Sequence, residues 1–212
     1  MVRKTKEESD RTYHALLDAA LKLFNERGTA NTTLNDIAKE VAMTRGAVYW
    51  HFQNKADIIV ALWNRTGLDI QQQFADGMQL QISESPDLQF REALDLCAAS
   101  LIKNSQLEQV IRVLFNSMEF TAQEDGLQVF LRHTGASFFD PILSACEVLE
   151  ERGFLKQGLV ARHAALGLWS YMYGIMQMSA PYGVNKIDLG KDAKVLLDIY
   201  LDAILRKPPV NI

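Results

Sequence analysis

The sequence predicts an all-α fold, and three observations lead to this prediction. Apolar residues recur at three- and four-residue spacing along almost the whole chain, which is typical of helices with one buried face. Runs of β-branched residues bounded by turn pairs, which are typical of strands, do not occur. The 212 residues are 48% hydrophobic, enough to bury a sizeable core in one large domain or two small ones.

The first predicted helix carries one apolar stripe and ends at a glycine. Side chains at this spacing lie on one face of a helix. Gly28 follows Arg27 and is typical of a helix end, because glycine readily adopts the left-handed conformation that closes one. The residues of the stripe are Tyr13, Leu17, Ala20, Leu21 and Phe24.

Two short helices joined by a tight turn are predicted next. Thr33 and Asp36 have the spacing of a capping box, in which a hydroxyl and a carboxylate each accept a backbone N–H at the start of a helix. Thr44 can cap the following helix, whose Val48 and Phe52 are expected one turn apart on its buried side. The inward-facing residues of the second helix are expected to be Leu34, Ile37, Ala38 and Val41.

The rest of the chain is predicted to be helical with short turns. Asn54, with Asp57 three residues later, repeats the capping signal and begins a fourth helix that is predicted to run to about Leu80. Ser83–Asp87 combines serine, proline and aspartate and favours a break. The later helices are expected over Leu88–Asn104, Leu107–Phe120, Gly126–Arg152, Val160–Pro181 and Leu189–Arg206.

Charge and composition narrow the class of protein. Residues 1–65 carry 10 basic and 8 acidic side chains, whereas the remainder carries 12 basic and 18 acidic ones. A mildly basic N-terminal segment therefore precedes an acidic remainder. No apolar stretch reaches the ~20 residues of a bilayer span, and the charged N-terminal segment lacks the apolar run of a signal peptide. We therefore expect a cytoplasmic protein with no membrane partner.

Cys97 and Cys146 lack CxxC spacing and are expected to be small buried hydrophobes.

The segment Thr33–Phe52 has the form of a helix-turn-helix, whose second helix can enter the major groove of DNA. Arg45 begins that helix, and its guanidinium can bond bidentately to guanine. Tyr49 and His51 can donate to phosphate oxygens, and Lys55 lies in the first turn of the next helix, where an anion is favoured. The predicted DNA-binding residues are Thr33, Thr44, Arg45, Gly46, Ala47, Tyr49, Trp50, His51 and Lys55.

These residues resemble a known family. The run Thr33-Leu34-Asn35-Asp36-Ile37-Ala38, then Thr44-Arg45-Gly46-Ala47-Val48-Tyr49-Trp50-His51-Phe52 and Asn54-Lys55, resembles the DNA-binding domain of TetR-family repressors. Arg3-Lys4-Thr5-Lys6 and the Tyr49–Phe52 run resemble the AcrR-type branch, which represses multidrug efflux pump genes. The resemblance is specific over residues 1 to about 65 and weaker beyond. It implies a repressor that binds a near-palindromic operator as a dimer and is released by small apolar or amphipathic compounds.

The expected domains are a helix-turn-helix DNA-binding domain at residues 1–65 and a helical ligand-binding and dimerisation domain at residues 66–212. The resemblance implies a homodimer formed by the last two helices of each subunit. The final helix carries a stripe wide enough for a partner, although packing within the chain explains that stripe equally well. Its residues are Leu189, Ala193, Leu196, Leu197, Tyr200 and Ile204.

A ligand site is predicted between helices of the second domain, where aromatic and methionine side chains are frequent. Such sites are largely apolar with a few polar groups, and methionine adapts to ligands of different shape. For each residue taken singly, ordinary core packing is the alternative. The candidates are Trp63, Phe115, Phe120, Phe138, Trp169, Met172, Tyr173 and Met176, with Asn116, Glu119 and Gln177 as polar groups at the edge.

Other functions are less well supported by the sequence. No GxSxG, Walker A, GxGxxG or HExxH motif occurs and the four histidines are scattered, so we expect no enzyme, no catalytic residue, no metal site and no cofactor. An apolar-ligand carrier would leave Arg45 and Tyr49 without a purpose. A TetR-type regulator of lipid or signal metabolism stays open as an alternative to control of an efflux pump.

Overall fold

A computed structural model describes residues 6–117, 126–179 and 187–206. Within these ranges the chain forms ten α-helices and no strand beyond one isolated antiparallel bridge between Leu155 and Leu205, which confirms the all-α prediction. None of these helices is long and apolar enough to cross a lipid bilayer. The helices are α1 (Lys6–Arg27), α2 (Leu34–Glu40), α3 (Arg45–His51), α4 (Lys55–Thr66), α5 (Leu68–Gly77), α6 (Pro86–Lys103), α7 (Ser105–Asn116), α8 (Gly126–Glu151), α9 (Ala161–Met178) and α10 (Leu189–Ile204).

The chain divides into two compact units. The first runs to Leu68 and also takes in Gln106–Leu131, whereas the second comprises Asp69–Ser105 and the described residues from Arg132 onward. The first unit therefore combines α1 to α4 with most of α7 and the beginning of α8. The predicted division into contiguous domains at residues 1–65 and 66–212 does not include this return of the chain to the first unit.

Side-chain contacts hold α7 on α1 within the first unit. The Gln106 Nε2 atom donates to Asp18 Oδ1 at 3.5 Å, and Asn25 Nδ2 donates to the Gln109 carbonyl at 3.5 Å. On the apolar side of α7, four residues at helical spacing are buried, as expected for a helix that packs against a core. They are Leu107, Val110, Val113 and Leu114.

Helix α1 follows the sequence prediction closely. Four of the five residues in its predicted stripe are buried, and Tyr13 is half-buried. Gly28 adopts a φ of +81° and its N–H donates to the Phe24 carbonyl at 3.0 Å. Glycine reaches this left-handed conformation without steric cost, so the helix ends after Arg27 as predicted.

The prediction of a single fourth helix reaching about Leu80 is wrong, because the chain breaks at Gly67. Helix α4 ends at Thr66, whose hydroxyl donates to the Leu62 carbonyl at 2.9 Å, a bond that commonly bends a helix. The indole of Trp63 lies against the backbone of Gly67 so closely that a Cβ there would be 2.2 Å from Trp63 Cε3. Only glycine permits this approach, and the chain restarts as α5 at Leu68.

The second unit encloses its own apolar core, built from α5, α6, α8, α9 and α10. Cys146 is buried in this core, as predicted, whereas Cys97 is partly buried and packs against it. Burial raises the pKa of the Cys97 thiol to about 11 and that of Cys146 to about 12, so both stay protonated near neutral pH. The largest contributors include Phe74, Met78, Leu80, Phe90, Leu94, Ile142, Leu149, Leu168, Leu197 and Leu201.

Helix α10 packs against α9 through Tyr200. Its hydroxyl donates to the Ala164 carbonyl at 2.9 Å, and a Cβ on Gly167 would lie 2.3 Å from the hydroxyl oxygen. The ring also stacks on Tyr171 with ring centres 5.4 Å apart. The small residue at Gly167 thus lets the two helices approach closely.

The apolar stripe predicted on the last helix packs within the chain. Leu197 and Ile204 are buried in the core of the second unit, and the Tyr200 hydroxyl is bonded to α9. Ala193 is buried as well. Leu189 and Leu196 are half-buried. Packing within the subunit therefore accounts for the buried members of this stripe, whereas Leu189 and Leu196 keep part of their surface exposed.

Candidate functional site

The capping box predicted at the start of α2 is present. The Thr33 hydroxyl accepts from the Asp36 N–H at 3.2 Å, while the Asp36 carboxylate accepts from the Thr33 N–H at 2.9 Å. Hydrogen bonds from the Thr33 side chain and backbone hold the pKa of Asp36 below its usual value. Thr33 was predicted to contact DNA, and in the structure its side chain is engaged in fixing the first helix of the motif.

A tight turn then directs the chain into α3. Ala42 adopts a φ of +52°, an uncommon conformation for a residue other than glycine, and the Met43 N–H donates to the Ala38 carbonyl at 2.8 Å. Thr44 is the predicted cap of α3, since its hydroxyl accepts from the Ala47 N–H at 3.4 Å. The cap places Arg45 at the first position of the helix.

Helix α3 presents an exposed side that we call the α3 face, formed by Arg45, Gly46, Tyr49 and Trp50. The indole of Trp50 is 82% exposed and the Tyr49 side chain is 44% exposed. Val48, on another side of the same helix, is completely buried, as predicted. Large aromatic side chains are usually buried, so two of them exposed side by side on one helix indicate a binding surface.

Arg45 and Tyr49 form a pair on the α3 face. The Arg45 Nη2 atom donates to the Tyr49 hydroxyl at 3.0 Å, and the guanidinium carbon lies 5.0 Å from the centre of the Tyr49 ring. A guanidinium carries five N–H donors in a rigid fork, so this bond leaves capacity for a second partner. The pair restricts the arginine to few conformations while it stays exposed.

The remaining predicted DNA-binding residues lie at the far end of α3 and the start of α4. His51 is half-buried beneath Tyr13 of α1, whose ring centre lies 5.9 Å from the imidazole. Lys55 begins α4, and its Nζ donates to the Thr29 carbonyl at 2.5 Å. Lys55 therefore also ties α4 to the turn before α2. No local sequence signal announces this contact, because Thr29 lies 26 residues away.

The predicted ligand-binding residues are distributed over the two units. Trp63, Phe115 and Asn116 belong to the first unit. There, Trp63 is only 2% exposed and lies against Gly67. Glu119 and Phe120 lie outside the described residues. The members in the second unit are Phe138, Trp169, Met172, Tyr173, Met176 and Gln177.

The members in the second unit combine aromatic, thioether and polar side chains. The Phe138 ring lies 5.3 Å from Phe74, and Trp169 meets Phe139 edge-on with ring centres 6.3 Å apart. Met176 is buried and Met172 is half-buried on α9. Near the end of α9, Gln177 Nε2 donates to the Tyr173 hydroxyl at 3.3 Å. This composition is common in sites for small apolar ligands and is also that of a packed core, so ligand contact stays a prediction.

The sequence of the chain matches a known protein family and a known regulator. The family described as "Bacterial regulatory proteins, tetR family" matches residues 16–62, a range that contains all of α2 and α3. The chain is 31% identical over 218 aligned residues to AcrR of Shigella flexneri, an HTH-type transcriptional regulator, and the alignment covers 100% of both proteins.

Two solved structures extend the likeness to the second unit. NalD of Pseudomonas aeruginosa, the secondary repressor of the MexAB-OprM multidrug efflux pump, is 28% identical with a TM-score of 0.72, covering 96% of this chain and 100% of NalD. SmeT of Stenotrophomonas maltophilia, solved in complex with triclosan, is 25% identical with a TM-score of 0.73, covering 93% of each chain. The similarity runs well past the helix-turn-helix in both sequence and structure. The chain belongs to the TetR family of bacterial regulatory proteins.

Proposed function

We propose that this chain is a ligand-responsive transcriptional repressor that binds a near-palindromic operator and controls a multidrug efflux pump operon. The observation that carries the proposal is the α3 face, which presents Arg45, Tyr49 and Trp50 to solvent on a capped helix that follows a tight turn. Such a helix fits the major groove of B-DNA. The protein would act in the cytoplasm, where the DNA lies, and it would do so without catalysis.

The contacts with DNA divide into two kinds. Arg45 is the residue proposed to read a base, because its position at the start of α3 and its fork suit guanine. Tyr49, Trp50, His51 and Lys55 are proposed to contact the phosphate backbone and set the register. Thr33, Thr44, Gly46 and Ala47 would complete the surface by capping the helices and letting the backbone approach the groove.

The relatives support control of efflux. NalD and SmeT are repressors of multidrug efflux pumps, and SmeT has been solved with triclosan. In this chain the residues proposed to meet a small apolar or amphipathic ligand are the group on α8 and α9 in the second unit, around Phe138, Trp169 and Met172. Trp63, Phe115 and Asn116 belong to the first unit, and for them ligand contact stays a prediction from the sequence.

Release from DNA requires a ligand that prefers a conformation with a displaced α3. We propose α4 as the element that transmits this change, because it precedes the junction at Gly67 and contacts α1. Arg65 of α4 pairs with Asp18 of α1 at 2.8 Å, and Asp18 also accepts from Gln106 of α7. A coupling free energy of about 1–3 kcal/mol between ligand and DNA would suffice for induction.

The function is tested by selecting duplexes from a random DNA pool with the purified chain and then measuring Kd for the selected duplex with and without triclosan. We expect a near-palindromic consensus and a Kd that triclosan raises by roughly 5- to 150-fold. Failure to enrich any duplex at low salt would contradict DNA binding. A selected duplex whose Kd is unchanged by triclosan and by a panel of amphipathic drugs would contradict the ligand response.

A homodimer through α9 and α10 is part of this proposal. Val195 and Ile199 of α10 are 58% and 59% exposed, and they lie one turn apart. Leu166 and Tyr173 of α9 are exposed as well. Apolar side chains at such spacing on two neighbouring helices suit a four-helix interface between two copies of the chain.

Charged substitutions on α10 should separate the dimer. We expect the double variant Val195→Glu/Ile199→Glu to sediment as a monomer and to lose most of its affinity for the selected duplex, because a two-fold operator needs two recognition helices. The matched control is Leu88→Glu, a change at a comparably exposed leucine of α6. A variant that stays dimeric in analytical ultracentrifugation would place the interface elsewhere.

A further inference from the structure

We propose that Tyr13 of α1 is a positioning residue for DNA binding and that it acts through His51. The inference deepens the proposed function and rests on it, because it concerns how the far end of α3 is held for the operator. Sequence patterning places Tyr13 in the apolar stripe of α1, where the alternative role is plain core packing.

The geometry centres on the Tyr13 ring, which contacts three other rings. It stacks on Phe52 with ring centres 5.1 Å apart and an angle of 28° between the planes. It meets His51 at 5.9 Å and 59°, and His14 of α1 edge-on at 5.5 Å and 81°. His51 and Phe52, the last residue of α3 and its C-cap, are thus both held by one side chain from α1.

Helix α3 needs such support because it has only seven residues. A helix of two turns is unstable by itself and depends on its tertiary contacts. Val48 supplies a buried anchor in the middle of α3, and the stack of Tyr13 on Phe52 supplies one at its end. The start of the helix is held separately by the Thr44 cap.

The contact with His51 links this anchor to DNA. An imidazole N–H can donate to a phosphate oxygen, and a ring already confined by a neighbour loses less conformational freedom on binding. Tyr13 is half-buried rather than fully buried. Removal of its ring therefore takes away a contact of the His51 imidazole without opening a large cavity in the core. Tyr13 therefore contributes to affinity without contacting the operator.

The test is a double-mutant cycle on Kd for the duplex that the wild-type chain selects. The variants are Tyr13→Leu, His51→Ala and the two combined, with Tyr13→Phe as the conservative replacement and His14→Ala as the control from the same ring cluster. We expect Tyr13→Leu to weaken binding roughly 2- to 10-fold, the range set by loss of an aromatic pair. Tyr13→Phe and His14→Ala should remain within about 2-fold of the wild type.

The decisive readout is the dependence on His51. In the His51→Ala background we expect Tyr13→Leu to weaken binding less than it does in the wild type, because only the stack on Phe52 is then lost. Equal weakening with and without His51 would overturn the inference and leave Tyr13 as a core residue. Thermal melting of each variant shows whether it is folded, and Tyr13→Met replaces Tyr13→Leu if the latter unfolds. If the wild-type chain enriches no duplex, the proposed function fails first and this inference with it.

Discussion

Replacing Arg45 with alanine is expected to weaken binding to the selected duplex by about 1–3 kcal/mol and to relax the preference at one base pair of each half-site. Arg45 is exposed at the first position of α3 and is held over Tyr49 by a hydrogen bond of 3.0 Å. The substitution removes the fork that would bond a guanine edge, and it leaves the α3 backbone and the Thr44 cap intact. Kd values for the selected duplex and for single-base variants of it measure both effects.

Two comparisons sharpen this result. Arg45→Lys keeps the charge but not the fork, so it should lose sequence preference while retaining more of the overall affinity. Lys55→Ala should instead weaken all duplexes alike and reduce the salt slope by about 1. An unchanged ranking of duplexes by Arg45→Ala would assign base recognition to another residue of the α3 face.

Replacing Gly67 with alanine is expected to destabilise the fold by about 1–3 kcal/mol or more, as over-packing does in well-packed sites. The new Cβ would lie 2.2 Å from Trp63 Cε3 and 2.4 Å from both Cδ2 and Cζ3. The indole cannot easily yield, because Trp63 is itself buried. Urea denaturation followed by circular dichroism gives the change in the free energy of unfolding.

A matched control is available in α9. A Cβ at Gly174 would meet no atom within 4 Å, so Gly174→Ala should stabilise the chain by about 0.5–1 kcal/mol, the usual gain from alanine inside a helix. The double variant Trp63→Leu/Gly67→Ala should lose less stability than the sum of its two single changes, since the smaller side chain makes room. Strict additivity would show that the steric contact is not the cause.

The sequence predicted those features whose causes are local. Thr33 with Asp36 formed the capping box, Gly28 ended α1 in the left-handed conformation, and Thr44 began α3 at Arg45. Each of these depends on side-chain and backbone groups a few residues apart, so a pattern of residue types is enough to identify it. For the same reason the residues of the α3 face are recognisable in the sequence.

Features that depend on distant parts of the chain were not predictable in this way. At the break after α4, the Trp63 indole packs against Gly67, a contact that no capping pattern records. Lys55 finds the Thr29 carbonyl only after α4 has folded back toward the turn before α2. On α10, periodicity identified an apolar stripe but could not say what would cover it. In the structure, the core of the second unit covers Leu197 and Ile204. The ligand residues share this difficulty, because core packing and ligand contact favour the same side chains.

The return of α7 to the first unit bears on the engineering of chimeric regulators. A graft that joins residues 1–68 of this chain to the remainder of a relative would bring a foreign helix against α1. Asp18 and Asn25 would then face side chains and carbonyls other than those of Gln106 and Gln109. We expect a graft to transfer operator specificity only when Gln106–Leu131 is exchanged together with the N-terminal segment. The exchanged module then consists of two separate pieces of sequence.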